Sequence, residues 1–364
     1  MKIISILLSI CYSTLIMAQS HVSTPGVIFE ALSINDAMAK AEAANKLVFV
    51  DCYTSWCGPC KKMTDEVFPR AEVGEYFAPR FIAVKYDIEK EDDGRFLAKE
   101  HGVSVIPTYL ILNPDGSLLH RFSGAYDTER FLRKVEESFD DDKSYGSLKK
   151  AYETGRDNRE FLEQVLKSFT SIRDPKTQEV LARLEEQLTD EEKIQPEYWF
   201  IYEIDLLNTI GSKNEQFLFD NAAKFRQNIG FSKVDPILER HYKARLMNII
   251  GLKEEITPEA MNKMIGQVEE LFPASDLEKI SYIAASVREG DWDNMTTVCK
   301  EQIPAMKNWR DAFVALIDRI VEQGTIEQKR AWFELGDRLL EQTPPNNRGF
   351  METVLRVLRE KAGC

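Results

Sequence analysis

The apolar run Leu47–Tyr53, LVFVDCY, stops just short of two cysteines, Cys57 and Cys60, separated by Gly58-Pro59. This juncture constrains the fold more than any other stretch. A β-branched and aromatic run bounded by turn residues reads as a strand buried on both faces. Proline is tolerated in the first turn of a helix, so Pro59 predicts a helix opening near Cys57 and continuing through Lys62 and Val67. A buried strand that feeds a helix requires a sheet covered by helices, which points to an α/β arrangement.

The flanking sequence has the same character. Ser33 is placed to cap a helix through Ala44, and FIAVKYD (Phe81–Asp87) reads as a second buried strand before a short helix at Gly94–His101. TYLIL (Thr108–Leu112), the turn Asn113-Pro114-Asp115-Gly116 and SLLHRF (Ser117–Phe122) predict a hairpin. Asp127 then caps a helix whose apolar face is Phe131, Leu132, Val135 and Phe139. Residues 27–140 are therefore expected to form one α/β domain. After Asp140–Lys143 the strand signals vanish. Residues 146–364 read as an all-helical domain of segments such as Tyr198–Ile210, Asn214–Ile229, Asp235–Ile250 and Arg348–Lys361, with the stacked helical hairpins of an α-solenoid as the expected arrangement. YIAASVREGDWDNMTTVC has the helix–turn–helix make-up of one repeat unit, although no strict period aligns. Trp199, Phe200 and Trp332 lie at helical spacing and are read as core rather than contact residues.

The N-terminus predicts export. Lys2 and the apolar stretch Ile3–Met17 precede a small residue, Ala18, so residues 1–18 read as a signal peptide with Gln19 as the mature N-terminus. A retained anchor is the competing reading, although the apolar run is shorter than a spanning helix needs. The mature chain is then expected in the periplasm or otherwise outside the cytoplasm, with Cys52, Cys57, Cys60, Cys299 and Cys364. Five cysteines leave at least one unpaired, and they are too few for a disulfide scaffold in 364 residues. A net charge of −13 argues against nucleic acid or anionic lipid as a general partner. Four scattered histidines offer no metal cluster, and no phosphate- or dinucleotide-binding glycine motif occurs. No metal and no cofactor are expected.

A Cys-x-x-Cys pair can hold half a zinc site, a structural bridge or a redox dithiol. Zinc needs two more ligands, and Cys299 and Cys364 lie far apart without neighbouring histidines. Position favours chemistry over a structural bridge. At a helix start, free N–H groups and the helix dipole favour an anion at Cys57, and the thiolate is the nucleophile of disulfide exchange. Asp51 is an acid inside an apolar strand, costly to bury without purpose.

Over residues 27–140 the chain resembles the thioredoxin family. Trp56-Cys57-Gly58-Pro59-Cys60-Lys61 stands as that family's active-site motif does, between an apolar strand and a helix. GVSVIPT resembles the family's cis-proline loop, and EVFPRAEVGEYFAPRFIAVKYDIEKE is similar to the C-terminal periplasmic domain of the transmembrane thiol:disulfide interchange protein. The resemblance implies that Cys57 attacks, Cys60 resolves and Asp51 accepts the Cys60 proton, with Lys85 as a helper charge. It further implies that Trp56, Gly58, Pro59, Ile106, a cis Pro107 and Gly124 meet the substrate. Cys52 departs from the family, which has a large apolar residue there; it is read as a buried packing thiol. The implied function is reduction of disulfides in exported proteins, resupplied by a membrane thiol–disulfide electron donor. Disulfide isomerisation is the alternative within that chemistry. A non-enzymatic interaction protein with a passive thioredoxin fold is the alternative outside it.

Overall fold

The computed structural model describes residues 25–363. The expected signal peptide and Cys364 lie outside the described residues. The chain divides into two compact units, one ending at Leu184 and one beginning at Glu185.

The first unit is built on a four-stranded sheet in the order β2-β1-β3-β4, formed by β1 (Leu47–Tyr53), β2 (Phe81–Asp87), β3 (Thr108–Leu112) and β4 (Leu118–Ser123). β1 pairs parallel to β2 and antiparallel to β3, and β3 pairs antiparallel to β4 across the Asn113–Gly116 turn. Gly116 closes that turn at φ +83°, a backbone conformation that glycine adopts freely. β1 shows no apolar/polar alternation because both sheet faces are covered. Phe49, Tyr109, Ile111 and Phe122 pack on one face with Met63, Phe68, Phe77 and Phe131. Val48, Val50, Cys52, Val84 and Leu110 pack on the other with Ile34, Ala37, Ala41 and Leu97.

Helices α1 (Ile34–Ala44), α2 (Gly58–Lys62), α3 (Ala71–Phe77), α4 (Asp92–Glu100) and α5 (Thr128–Glu136) surround the sheet. The caps read from the sequence are present: Ser33 Oγ accepts from Asp36 N at 3.1 Å, and Asp127 Oδ1 from Arg130 N at 2.8 Å. After α2 the chain widens into one π-helical turn, Met63–Val67.

The first unit extends beyond residue 140 to include α6 (Tyr145–Glu153), α7 (Arg159–Ile172) and most of α8 (Thr177–Glu185). The attachment is to β4, the edge strand. Tyr145 N donates to His120 Nδ1 at 3.0 Å. Gly146 lies so close that a Cβ there would be 2.5 Å from the Leu118 carbonyl oxygen and 2.7 Å from that of Leu119. The buried Arg121 guanidinium donates to the carbonyls of His101, Gly102 and Ile172, joining the C-terminal ends of α4 and α7. An uncovered edge strand invites pairing with other chains, and α6 blocks this one.

The second unit contains helices and no strand among the described residues. Several expected segments are shorter or divided. Tyr198–Ile210 is α-helical only over Trp199–Glu203, and Asn214–Ile229 is split at Asn221 into Lys213–Asp220 and Ala222–Ile229. Phe231–Ile250 starts earlier than its apolar pattern indicates and carries Pro236 inside it, losing one backbone hydrogen bond. Trp199 and Trp332 are buried, as a core reading requires. Trp332 stacks on Phe313 at 5.0 Å, and Gly336 leaves room for Phe313 and Leu355.

Gly146→Val should destabilise the first unit by about 2–3 kcal/mol, because overpacking against backbone carbonyls has no flexible group to yield. Urea unfolding followed by circular dichroism measures it; an unchanged midpoint would mean that α6 is not held against β4.

Candidate functional site

The sheet register gathers the site at one end of the molecule's first unit. β1 leaves the sheet at Tyr53 and leads to Cys57. β3 runs the other way with Thr108 opposite Cys52, so Pro107 borders the end of β1. Ser123 faces Thr108 across the hairpin, which carries Gly124 past the same edge. The Ile106–Pro107 bond is cis, and Gly124 N donates to Pro107 O at 2.9 Å. Gly124 has φ +119°, a conformation that L side chains rarely adopt. Pro107 is buried and Ile106 half-buried.

Cys57 is the N-cap of α2 and Cys60 lies one turn inside it; the two form a disulfide. Cys60 N–H points at Cys57 Sγ from 3.1 Å. In the reduced protein this donor would stabilise a thiolate at Cys57. Both cysteines are nearly buried, whereas Gly58 and Pro59 are exposed. A Cβ on Gly58 would meet nothing within 4 Å, so this glycine keeps the surface beside the sulfur low rather than filling a tight space.

Trp56 is 69% exposed, the most exposed of the large apolar residues among the described residues of this unit. Its Nε1 donates to Glu89 Oε2 at 2.9 Å, which fixes the ring without burying it. The anchor beneath this arrangement is Asp87, which sequence reasoning missed. Asp87 is buried at the end of β2, where Oδ2 accepts from Ser55 N at 3.1 Å and Oδ1 from Glu89 N at 3.0 Å. It thereby ties the loop that carries Trp56 to the loop that carries its partner. The available signal was an aspartate closing an apolar strand, the same kind of signal that singled out Asp51.

Asp51 is 2% exposed, and its Oδ1 has no hydrogen-bond partner. Burial pushes its carboxyl up to about 7, with the Lys85 charge pulling in the opposite direction. Lys85 is the register partner of Asp51 on β2 but is itself exposed, with its ammonium near the Phe29 and Tyr53 rings. Cys52 is fully buried, and burial raises its thiol far above the ordinary range, so it is held protonated. Among the described residues no group of three or more His, Cys, Asp or Glu is placed to hold a metal.

The profile of the thioredoxin-like domain family matches residues 34–138. Thioredoxin H-type of Fagopyrum esculentum is 34% identical over 101 residues, an alignment covering 28% of this chain and 79% of that one. This chain belongs to the thioredoxin family. It is also similar to a candidate disulphide isomerase of Bacteroides thetaiotaomicron solved in solution (40% identity, 32% of this chain and 96% of that one, TM-score 0.30). The C-terminal domain of DsbD from Neisseria meningitidis, solved oxidised, shares 24% identity over 31% of this chain and 98% of its own, with a TM-score of 0.26. The chain spans about half the length of the chloroplast thioredoxin Y relatives that it matches. The Cys57–Cys60 pair therefore sits in a thioredoxin-like domain, and a helical region follows it.

The pH dependence of stability should expose Asp51. Between the unfolded value near 4 and the folded value of about 7, the native state keeps a proton that the unfolded chain has released. Stability therefore falls as pH rises through that window and levels off above it, by up to about 4 kcal/mol. Asp51→Asn should abolish most of this slope and be the more stable protein at pH 8. Equal slopes for the two proteins in urea titrations from pH 4 to 8 would mean that Asp51 is not buried as described.

Proposed function

We propose that this chain is an exported protein-disulfide reductase that works through Cys57 and Cys60. The observation that carries the proposal is the Cys57 N-cap with the Cys60 N–H aimed at its sulfur. With the pair reduced, Cys57 thiolate attacks one sulfur of a substrate disulfide and releases the other as a thiolate. Cys60 then attacks Cys57 Sγ, freeing the second substrate thiolate and closing the Cys57–Cys60 bridge. Two electrons pass to the substrate. Asp51, poised near neutrality, accepts the Cys60 proton; a base with a pKa near the working pH is the efficient choice. Trp56, Gly58, Pro59, Ile106, Pro107 and Gly124 form the surface on which an extended substrate segment lies beside the sulfur.

Direction follows from potential. Gly-Pro between the cysteines is the thioredoxin pairing, which is reducing at about −270 mV. Outside the cytoplasm such a reductase needs a dithiol donor at the membrane to reopen its bridge. The helical region, read as stacked hairpins, supplies an extended surface for a substrate or partner.

Single cysteine replacements test the assignment. Cys57→Ser should abolish insulin reduction and form no adduct at the motif. Cys60→Ser should still attack and, lacking a resolving thiol, accumulate mixed disulfides visible on non-reducing gels. Pairing each with Cys52→Ala removes the neighbouring thiol from the readout. Adducts on Cys57→Ser alone would reverse the roles, and unchanged turnover in both would refute the redox function.

A further inference from the structure

The loop that follows Gly124 carries a side chain that the redox chemistry does not use. Tyr126 is half-buried and fixed at three points. Its backbone N–H meets Met63 Sδ at 3.3 Å, in the turn that continues the cysteine helix α2. Its phenol donates to Ser123 O at 2.6 Å, and its ring lies 6.2 Å from that of Phe122. A Cβ on Gly124 would lie 3.4 Å from the phenol oxygen and 3.5 Å from the ring carbon that bears it. The ring is therefore the immediate neighbour of Gly124 on the β4 side of the site.

Arg130, in the first turn of α5, places its guanidinium carbon 5.5 Å from the centroid of that ring. Arg130 is exposed and forms no ion pair among the described residues. The acids beside it in sequence are engaged elsewhere: Asp127 Oδ1 caps the helix at Arg130 N, and Glu129 pairs with Arg133. A planar cation seated on a fixed ring keeps its N–H fork open to a carboxylate, with less freedom left to lose on pairing. The β2 side of the site, at the other edge of the sheet, has its charges matched. Glu89 is held by Trp56 Nε1, and Lys90 Nζ donates to Ser55 Oγ and faces Asp87 Oδ2 at 3.8 Å.

We propose, resting on the reductase function assigned to the dithiol, that Arg130 seated on Tyr126 determines specificity, favouring substrate segments with Asp or Glu near the disulfide. An extended segment rises about 3.3 Å per residue. One that lies across Gly124 carries its next residues over the Tyr126 ring and within reach of the guanidinium.

The test assays the full chain at low ionic strength on three peptide disulfides. They carry Glu, Ala or Lys at the second and third positions on either side of the cysteine. Dividing each rate by that with dithiothreitol removes the peptide's own reactivity, and kcat/KM should then rank Glu above Ala above Lys. Arg130→Glu should lower the Glu-to-Lys ratio at least about five-fold, mainly through KM, because one exposed pair is weak but its sign reverses for both peptides. Glutamate suits the first turn of a helix, so α5 persists in this variant. In 1 M salt, where screening acts over about 3 Å, the two proteins should converge. Arg80→Glu makes the same change in net charge just before β2, at the end of the sheet opposite Asp87, and should keep the wild-type ratio. An unchanged ratio in Arg130→Glu, or an equal drop in Arg80→Glu, would overturn the role of Arg130 and leave the reductase function standing. Failure of the wild type to reduce any of the three peptides would refute the reductase function and this specificity with it.

Discussion

The pairing of β1 with β3, which sets Cys52 opposite Thr108, is the constraint on which the site depends. β1 emerges at this sheet edge toward Cys57, and the antiparallel β3 enters at the same edge from Pro107. A slip of one residue would turn every β1 side chain to the other face, bringing Cys52 in place of Asp51 to the side of Tyr109 and Phe131. Burial on both faces penalises that slip, since every β1 side chain from Val48 to Cys52 is enclosed. The hydrophobic core is thus also the device that aligns the cysteine helix with the Pro107 loop.

Asp51 carries a cost within that core. A carboxyl with an unsatisfied oxygen in a closed sheet lowers stability at neutral pH, and the Lys85 charge opposes this only in part. Cys52, its neighbour in sequence, shows the opposite outcome of the same burial. A thiol kept protonated is inert, so two adjacent residues on opposite faces divide into a titrating group and a packing group.

Beyond the site, Arg121 explains why the first unit does not stop where its strand signals stop. Its guanidinium is buried and must find acceptors, and the carbonyls at the ends of α4 and α7 provide them. His120, the adjacent residue on β4, accepts from the start of α6 because burial holds its imidazole neutral, down to about 4. One edge strand thereby recruits helices that sequence composition alone assigns to the helical region.

The amino-acid sequence by itself determined the alternation of strands and helices, the Asn113–Gly116 hairpin, the caps at Ser33 and Asp127 and the identity of the cysteine pair. These are local properties: apolar period, turn residues and spacing act over a few neighbours. It also marked Asp51, because a charge inside LVFVDCY stands out without any partner being known. Only the tertiary structure decided the roles of Asp87 and Arg121, whose partners Ser55, His101, Gly102 and Ile172 lie 19 or more positions away. Helix ends in the second unit were likewise illegible. The divisions at Ile204 and Asn221 arise where packing overrides a continuous apolar pattern, and such packing involves residues that no local window contains.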